Sequence, residues 1–180
     1  MAGGGRGQII INTGNGKGKT TAALGMAVRA AGHGLKVLIL QFIKGAWKTG
    51  EEKALKSLAP HIELMQLGKG FYGIEDGKIK ITPGDREEAA AAFRTAREKI
   101  LEGRHDIIIL DEIINLLAYG LIDTKGLIRL LQERPRDMSV VLTGRGAPEE
   151  LIEIADTVSE IKEIKHAFSK GIRAKKGIEY

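Results

Sequence analysis

The chain has 180 residues, of which 43% are hydrophobic and 28% are charged, and it contains no cysteine. This composition fits one soluble domain spanning residues 1–180, and it excludes a disordered chain, a disulfide and a thiolate metal site. No apolar run approaches the roughly 18 residues that a membrane helix needs, so we expect a cytoplasmic protein without a membrane partner. The net charge of +5 favours anionic ligands.

Short apolar runs rich in β-branched residues predict buried strands, and stretches with helical periodicity predict the helices between them. The strands are predicted at 8–12, 36–43, 62–67, 106–110, 139–142 and 157–164. The helices are predicted at 20–31, 51–58, 86–102, 113–119, 124–132 and 148–155. This alternation predicts an α/β fold, a mostly parallel sheet flanked by helices.

The segment 68–84 is long for a connection and contains five glycines, so we predict a functional loop. Its adjacent aromatics Phe71 and Tyr72 can stack on a flat ligand or pack beneath the loop. Asp85 is predicted as the N-cap of the following helix, with Glu88 at the capping-box position. The basic tail 166–180 lacks periodicity and is predicted as a solvated segment.

The strongest motif is TGNGKGKTT at 13–21, which follows the first strand and opens the first helix. This context predicts a P-loop, in which backbone N–H groups and a helix N-terminus face a phosphate. The residues expected to bind the phosphates of ATP are Gly14, Asn15, Gly16, Lys17, Gly18, Lys19, Thr20 and Thr21. The pattern G-x-x-x-x-G-K-[ST] places a glycine where this chain has Thr13, and the glycine comes one residue later.

Two acids and two arginines extend this prediction. Asp111 and Glu112 end the strand 106–110, where they can hold Mg²⁺ directly or through water, together with the Thr20 hydroxyl. The alternative for the acids is an ordinary helix cap. Arg145 follows another strand and can reach a phosphate or lie in a surface turn. Arg29, further along the first helix, is a second candidate phosphate contact or an exposed helix residue.

Several stretches in chain order together resemble one family. They are Gly14–Thr21; Gln41–Gly45 with Trp47 and Gly50-Glu51; Leu110–Glu112; Thr143–Gly146; Ala155–Glu160; and Lys165–Phe168 with Gly177–Tyr180. The chain resembles the P-loop ATP:corrinoid adenosyltransferases, which act on cob(I)alamin or cob(I)yrinic acid a,c-diamide. The resemblance implies a P-loop NTPase (RecA-like) fold.

The resemblance also implies a reaction. The 5′-deoxyadenosyl group of ATP passes to the Co(I) centre of a corrinoid and triphosphate is released, in adenosylcobalamin synthesis or salvage. ATP would lie with its phosphates reversed relative to ordinary P-loop enzymes, which gives the shifted glycine a physical meaning. The implied catalytic residues are Lys19, Thr20 and Glu112, and the implied ligands of Mg²⁺ or Mn²⁺ are Thr20, Asp111 and Glu112.

Partners follow from the same resemblance. Phe71 matches the family motif Gly-Phe-x-Trp, which helps to remove the lower axial ligand of cobalt, although Gly73 stands in place of the tryptophan. A homodimer and an electron-donating flavoprotein reductase are expected. Two alternatives remain, an ordinary P-loop ATPase or kinase and an ATP-switched nucleic-acid-binding module. Nucleic acid is not expected, because basic and aromatic residues do not interleave along the chain.

Overall fold

The computed structural model describes residues 5–43, 50–68, 70, 73–75 and 78–178. The strands are β1 Ile9–Thr13, β2 Val37–Gln41, β3 Ile62–Gln66, β4 Gly73–Glu75, β5 Lys78–Lys80, β6 Ile107–Asp111, β7 Ser139–Thr143 and β8 Thr157–Glu160. The helices are α1 Lys19–Gly32, α2 Gly50–Lys56, α3 Pro83–Glu102, α4 Ile113–Ala118, α5 Thr124–Glu133 and α6 Glu149–Glu153, followed by a 3₁₀ turn at Phe168–Lys170.

Six strands form one parallel sheet in the order β3–β2–β6–β7–β1–β8. Successive side chains of each strand point to opposite faces, and the central strands bury both sets, so one sheet supports two apolar layers. Ala23 and Ala27 of α1 pack on one face against residues such as Ile109. Residues of α3, α4, α5 and α6 pack on the other face, around Ile108 and Leu110. The predicted α/β fold with helices on both faces is confirmed.

A row of polar side chains crosses the carboxyl edge of this sheet on the face covered by α1. Side chains two residues apart on a strand share a face, so the residue two places after an apolar residue that packs on α1 lies on the α1 face as well. Five members of the row follow such a residue, and the sixth, Ser159, is paired with Asn12 of the row. In strand order the members are Gln66, Gln41, Asp111, Thr143, Asn12 and Ser159. We call this set the polar row. It places the predicted acid Asp111 in the middle of the sheet edge, beneath the start of α1.

The segment predicted as a long loop is more ordered than expected. Gly73–Glu75 and Lys78–Lys80 pair as a short antiparallel hairpin, with Ile74 opposite Ile79. Phe71 and Tyr72, which were predicted to stack or pack there, lie outside the described residues, as does Trp47. Every helix in the described part of the chain is too short or too polar to cross a membrane.

The predicted cap of α3 is wrong by one turn. The N-cap is Thr82, whose hydroxyl accepts from the Asp85 N–H at 3.3 Å. The Asp85 carboxylate accepts from the Thr82 N–H at 2.7 Å, which completes a capping box. Pro83 fixes the backbone of the first helical residue, so the helix begins three residues earlier than predicted.

We predict that Thr82→Ala lowers the free energy of unfolding by about 1 kcal/mol, because the cap bond to the helix is lost. Urea denaturation measures this difference. Thr95→Ala in the same helix is the matched control, since the Thr95 hydroxyl only donates to the Ala91 carbonyl within the helix. Equal destabilisation by both substitutions would show that Thr82 does not act as a cap.

Candidate active site

The loop between β1 and α1 turns sharply at glycine. Gly18 is the N-cap of α1 with a φ of 116°, which a residue with a Cβ rarely adopts. The Lys19 ammonium donates to the Gly16 carbonyl at 2.7 Å. An ammonium has three protons, so Lys19 can keep this bond and still donate to an anion above the loop. The loop therefore presents a cation and a helix N-terminus to the same space.

Two glycines of the loop are required by packing. The chain beyond β8 passes directly over the loop, and the Gly16 N–H donates to the Ile161 carbonyl at 2.7 Å. A Cβ on Gly14 or Gly16 would lie 2.5 or 2.7 Å from that same carbonyl oxygen. Gly14 also has a φ of 99°. Gly14, the glycine that lies one place later than in the general motif, is therefore required because Ile161 passes close over it.

Thr13 stands where the general motif has glycine. It is the last residue of β1 and is buried. Its hydroxyl accepts from the Ala147 N–H at 3.3 Å, and its carbonyl accepts from the Ile161 N–H at 2.8 Å. Thr13 therefore joins the loop to two neighbouring segments, the turn after β7 and the chain after β8.

Asp111 is the centre of the polar row and is only 2% exposed. Its Oδ1 accepts from the hydroxyls of Thr20 and Thr143, both at 2.8 Å. Its Oδ2 accepts from the Gln41 amide at 3.3 Å. These hydroxyl and amide donors offset part of the cost of burying the carboxylate at the sheet edge.

Glu112 follows in an unusual backbone conformation. It has a φ of 68°, and in the described part of the chain it is the only residue other than glycine with a positive φ. Its N–H donates to the Thr143 hydroxyl at 2.8 Å. Glu112 occupies the N-cap position of α4, yet the described contacts of that helix include no capping bond from its side chain. Glu112 lines the cavity above the P-loop.

The turn after β7 carries Arg145. The Arg145 N–H donates to the Asn115 side chain at 2.7 Å. Gly144 has a φ of 146°, and a Cβ there would lie 2.6 Å from the Ile114 Cβ. This close packing on α4 holds the turn in place, and the exposed Arg145 side chain lines the same cavity as Lys19 and Glu112.

The cavity has a volume of about 600 Å³. The predicted residues that line it are Asn15, Gly16, Lys17, Gly18, Lys19, Thr20, Thr21, Glu112 and Arg145. Gly14 and Asp111 are not among the lining residues, although Asp111 is bonded to Thr20, which is. Arg29 is exposed in the last turn of α1, about 15 Å along the helix axis from Lys19, so the fold does not bring it to the cavity. Phe71 lies outside the described residues.

Further residues line the cavity although sequence analysis assigned them no site role, and several of them lie in the stretches that carry the family resemblance. They are Leu24, Gly50, Glu51, Asn115, Thr143, Gly144, His166, Gly177 and Ile178. Thr143 and Gly144 were predictable, since adjacent parallel strands end at one edge. The contribution of the tail through His166 and Ile178 had no signal in periodicity. The basic tail is thus not wholly a solvated segment, because part of it borders the cavity.

Burial and charge shift two pKa values at the site. Burial lowers the pKa of Lys19 below its ordinary value, and repulsion by Arg145 adds to this while the Glu112 carboxylate opposes it. Burial and Glu112 raise the pKa of Tyr119, with Arg145 opposing. The Glu112 carboxylate therefore does not fully offset the effects of burial and Arg145 on the Lys19 ammonium, and an anion in the cavity would stabilise that ammonium further.

Comparison with known proteins identifies close relatives. A family model described as ATP:corrinoid adenosyltransferase BtuR/CobO/CobP matches residues 5–180. The corrinoid adenosyltransferase of Escherichia coli strain K12 is 42% identical over 176 residues, which cover 97% of this chain and 86% of that protein. The corrinoid adenosyltransferase CobA of Salmonella typhimurium strain LT2 is 39% identical over the same shares of both chains. The corrinoid adenosyltransferase of Pseudomonas aeruginosa strain PAO1 is 39% identical over 175 residues, 97% of this chain and 84% of that protein.

A solved structure supports the fold. The flagellar accessory protein FlaH from Methanocaldococcus jannaschii superimposes with a TM-score of 0.56 over 87% of this chain and 71% of that one. At 14% identity this likeness concerns the fold alone. Together with the parallel sheet and the loop after β1, it confirms the predicted P-loop NTPase architecture.

We predict that Gly16→Ala lowers the free energy of unfolding by about 1–3 kcal/mol, because the new Cβ must displace the backbone of residues 161–162. Gly25→Ala is the control, since a Cβ at Gly25 meets no atom within 4 Å. That control should raise the free energy of unfolding by up to about 1 kcal/mol through helix propensity. Chemical denaturation compares the two. A Gly16→Ala protein as stable as the unmodified chain would contradict the packing role.

Proposed function

The chain belongs to the ATP:corrinoid adenosyltransferase family, and we propose that the cavity above its P-loop is the active site for that family's reaction. The cobalt of a Co(I) corrinoid attacks the 5′ carbon of ATP with its electron pair. Cobalt's pair becomes the new cobalt–carbon bond, the bond between C5′ and the triphosphate oxygen breaks, and triphosphate leaves with the electrons of that broken bond. Co(I) is itself a strong nucleophile, so the protein needs no nucleophilic side chain.

One observation carries this proposal, the convergence of the P-loop, Glu112 and Arg145 on one cavity, with Asp111 bonded to Thr20 of its lining. Triphosphate is a highly charged leaving group, and its charge is what the protein has to stabilise. The Lys19 ammonium is held by its bond to the Gly16 carbonyl and Arg145 lines the same cavity, so both cations can stabilise that charge. We assign Lys19 and Arg145 to the phosphates, with Asn15, Lys17 and Thr21 completing the loop contacts.

A divalent cation fits the donors at this position. Thr20 donates its only hydroxyl proton to Asp111, so the lone pairs of its oxygen remain available to a cation. Oxygen ligands of this kind suit Mg²⁺ or Mn²⁺. We propose that Thr20 and Glu112 hold the ion with the phosphates, and that Asp111 contributes from beneath through the Thr20 hydroxyl. The bound ion would neutralise charge on the triphosphate.

The orientation of ATP is a further part of the proposal. Attack at C5′ requires an open path to the ribose, whereas phosphoryl transfer requires a path to the terminal phosphate. We propose the reversed phosphate orientation that the family resemblance implies. The packing reason for Gly14 does not depend on it, because that glycine is needed beneath Ile161 whichever way ATP lies.

The remaining assignments concern partners. Phe71 is proposed to contact the corrinoid and help displace its lower axial ligand. Reduction of cobalt to Co(I) needs an electron donor, for which we propose a flavoprotein reductase. We further propose a homodimer and a cytoplasmic location, since ATP and a reducing environment are both available in the cytoplasm.

Product analysis tests the function. With ATP, Mg²⁺ and chemically reduced Co(I) corrinoid, we expect adenosylcorrinoid and triphosphate in equal amounts, followed by absorbance and chromatography. Lys19→Ala should lower the rate by about 100-fold or more, because a fixed cation on the leaving group is lost. Lys36→Ala, an exposed residue at the opposite end of β2, is the matched control. Formation of ADP with no adenosylated corrinoid would instead identify an ordinary ATPase or kinase.

ATP binding should take up protons in alkaline solution. The pKa of Lys19 is lowered in the free protein, and a bound triphosphate must raise it, since an anion favours the ammonium. Between these two pKa values, binding protonates Lys19, so ATP affinity falls as pH rises through that range. Calorimetry in two buffers of different ionisation enthalpy measures the uptake. Lys19→Arg should abolish it, and an unchanged uptake in that variant would assign the proton to another group.

A further inference from the structure

Two buried side chains outside the predicted machinery hold Asp111 from opposite sides. Thr143 on β7 donates to Oδ1 at 2.8 Å, and Gln41 on β2 donates to Oδ2 at 3.3 Å. Both side chains have no exposed surface. β2 and β7 are the two strands that flank β6 in the sheet, so Asp111 is bounded by its neighbours in the polar row.

We propose that Thr143 and Gln41 are positioning residues that orient Asp111, and through it the Thr20 hydroxyl, for the metal–nucleotide complex. This inference rests on the proposed function of the cavity. Neither residue has to touch the metal ion. Their effect is transmitted through hydrogen bonds to the carboxylate, in the way that outer partners orient the ligands of many metal sites.

The Thr143 hydroxyl is hydrogen-bonded to both acids, Asp111 and Glu112. It has one proton, which goes to Asp111, and it accepts the Glu112 N–H at 2.8 Å. The same oxygen therefore fixes the carboxylate of one acid and the positive-φ backbone of the next. A side chain of the same shape without the hydroxyl would release both constraints, while leaving the packing of β7 unchanged.

Gln41 is oriented by a second amide. Its Oε1 accepts from the Gln66 side chain at 3.4 Å. Since the two ends of a primary amide are a donor and an acceptor, this bond directs the Gln41 NH₂ group towards Asp111. The chain of bonds from β3 through β2 to β6 thus extends the support of Asp111 to the edge of the sheet. Gln66 reaches the carboxylate only through two successive hydrogen bonds, so substituting it should disturb Asp111 less than substituting Gln41.

The experiment compares the affinity of each protein for Mn²⁺-saturated ATP and for metal-free ATP by calorimetry. The ratio of the two affinities measures how well the site couples metal to nucleotide. Thr143→Val should reduce this ratio about tenfold or more, with metal-free ATP bound within about twofold of the unmodified chain. Thr143→Ser restores the hydroxyl and should restore the ratio. Thr157→Val, on the exposed strand β8, controls for the substitution itself.

The outcomes separate positioning from packing. Equal weakening of both ATP forms, an unchanged ratio in Thr143→Val, or failure of Thr143→Ser to restore the ratio would each overturn the inference. If Thr143→Val does not fold, Gln41→Met and Gln66→Met decide, with a larger loss of the ratio expected for Gln41→Met and equal or absent losses overturning it. Adenosylation by the unmodified chain is measured separately, so failure of the proposed reaction is distinguishable from failure of this inference.

Discussion

The hydrogen bond from Thr20 to Asp111 is the interaction on which the rest of the site depends. It joins the first turn of α1 to the end of β6 at 2.8 Å, so the helix that opens the P-loop is fixed to the centre of the sheet. A buried carboxylate costs several kcal/mol unless it is compensated. Here hydroxyl and amide donors supply part of the compensation. These bonds hold the carboxylate at the centre of the sheet edge, next to the first turn of α1.

The loop itself is braced from the edge of the sheet. β8 is exposed along its whole length, and it pairs with β1 over four residues. The chain then continues over the loop, where Ile161 bonds to both Thr13 and Gly16. The edge strand contributes little apolar burial, but it constrains the backbone of the P-loop. Preorganisation of this kind matters because groups that are already in place need not reorganise during the reaction.

Patterns that are local in sequence were predictable, and those that depend on distant contacts were not. Each strand of the parallel sheet begins within one residue of its prediction, because a run such as Ile107–Leu110 can only be buried. The hairpin at Gly73–Lys80 was missed because two three-residue strands leave no periodicity to detect. For α3, Thr82 and Asp85 are both good caps, and Pro83 was the signal that decides between them.

In the candidate site, too, the residues in local motifs were predictable and those brought in by distant contacts were not. The P-loop, the acids and Arg145 were found because each follows a strand of one parallel sheet, which brings them to one edge. The pairing of Gln41 with Asp111 depends on which strands are neighbours, and strand order cannot be read from the pattern of one chain. His166 and Ile178 reach the cavity from an irregular tail. Arg29 was predicted as a phosphate contact because it lies on the helix that follows the P-loop. It is ten residues beyond Lys19 on that helix, so it lies far from the loop.

Thr13 shows how the departure from the general P-loop motif is built into this structure. Its hydroxyl accepts from Ala147, in the segment that follows Arg145, so the first position of the loop is tied to the turn that carries the arginine. Glycine at this position would provide no such bond. If the triphosphate is the leaving group, Lys19 and Arg145 must act on the same anion from two segments of the chain. The Thr13 hydroxyl joins the two segments that carry these cations, so the departure from the motif adds a bond between parts of the chain that would have to act together.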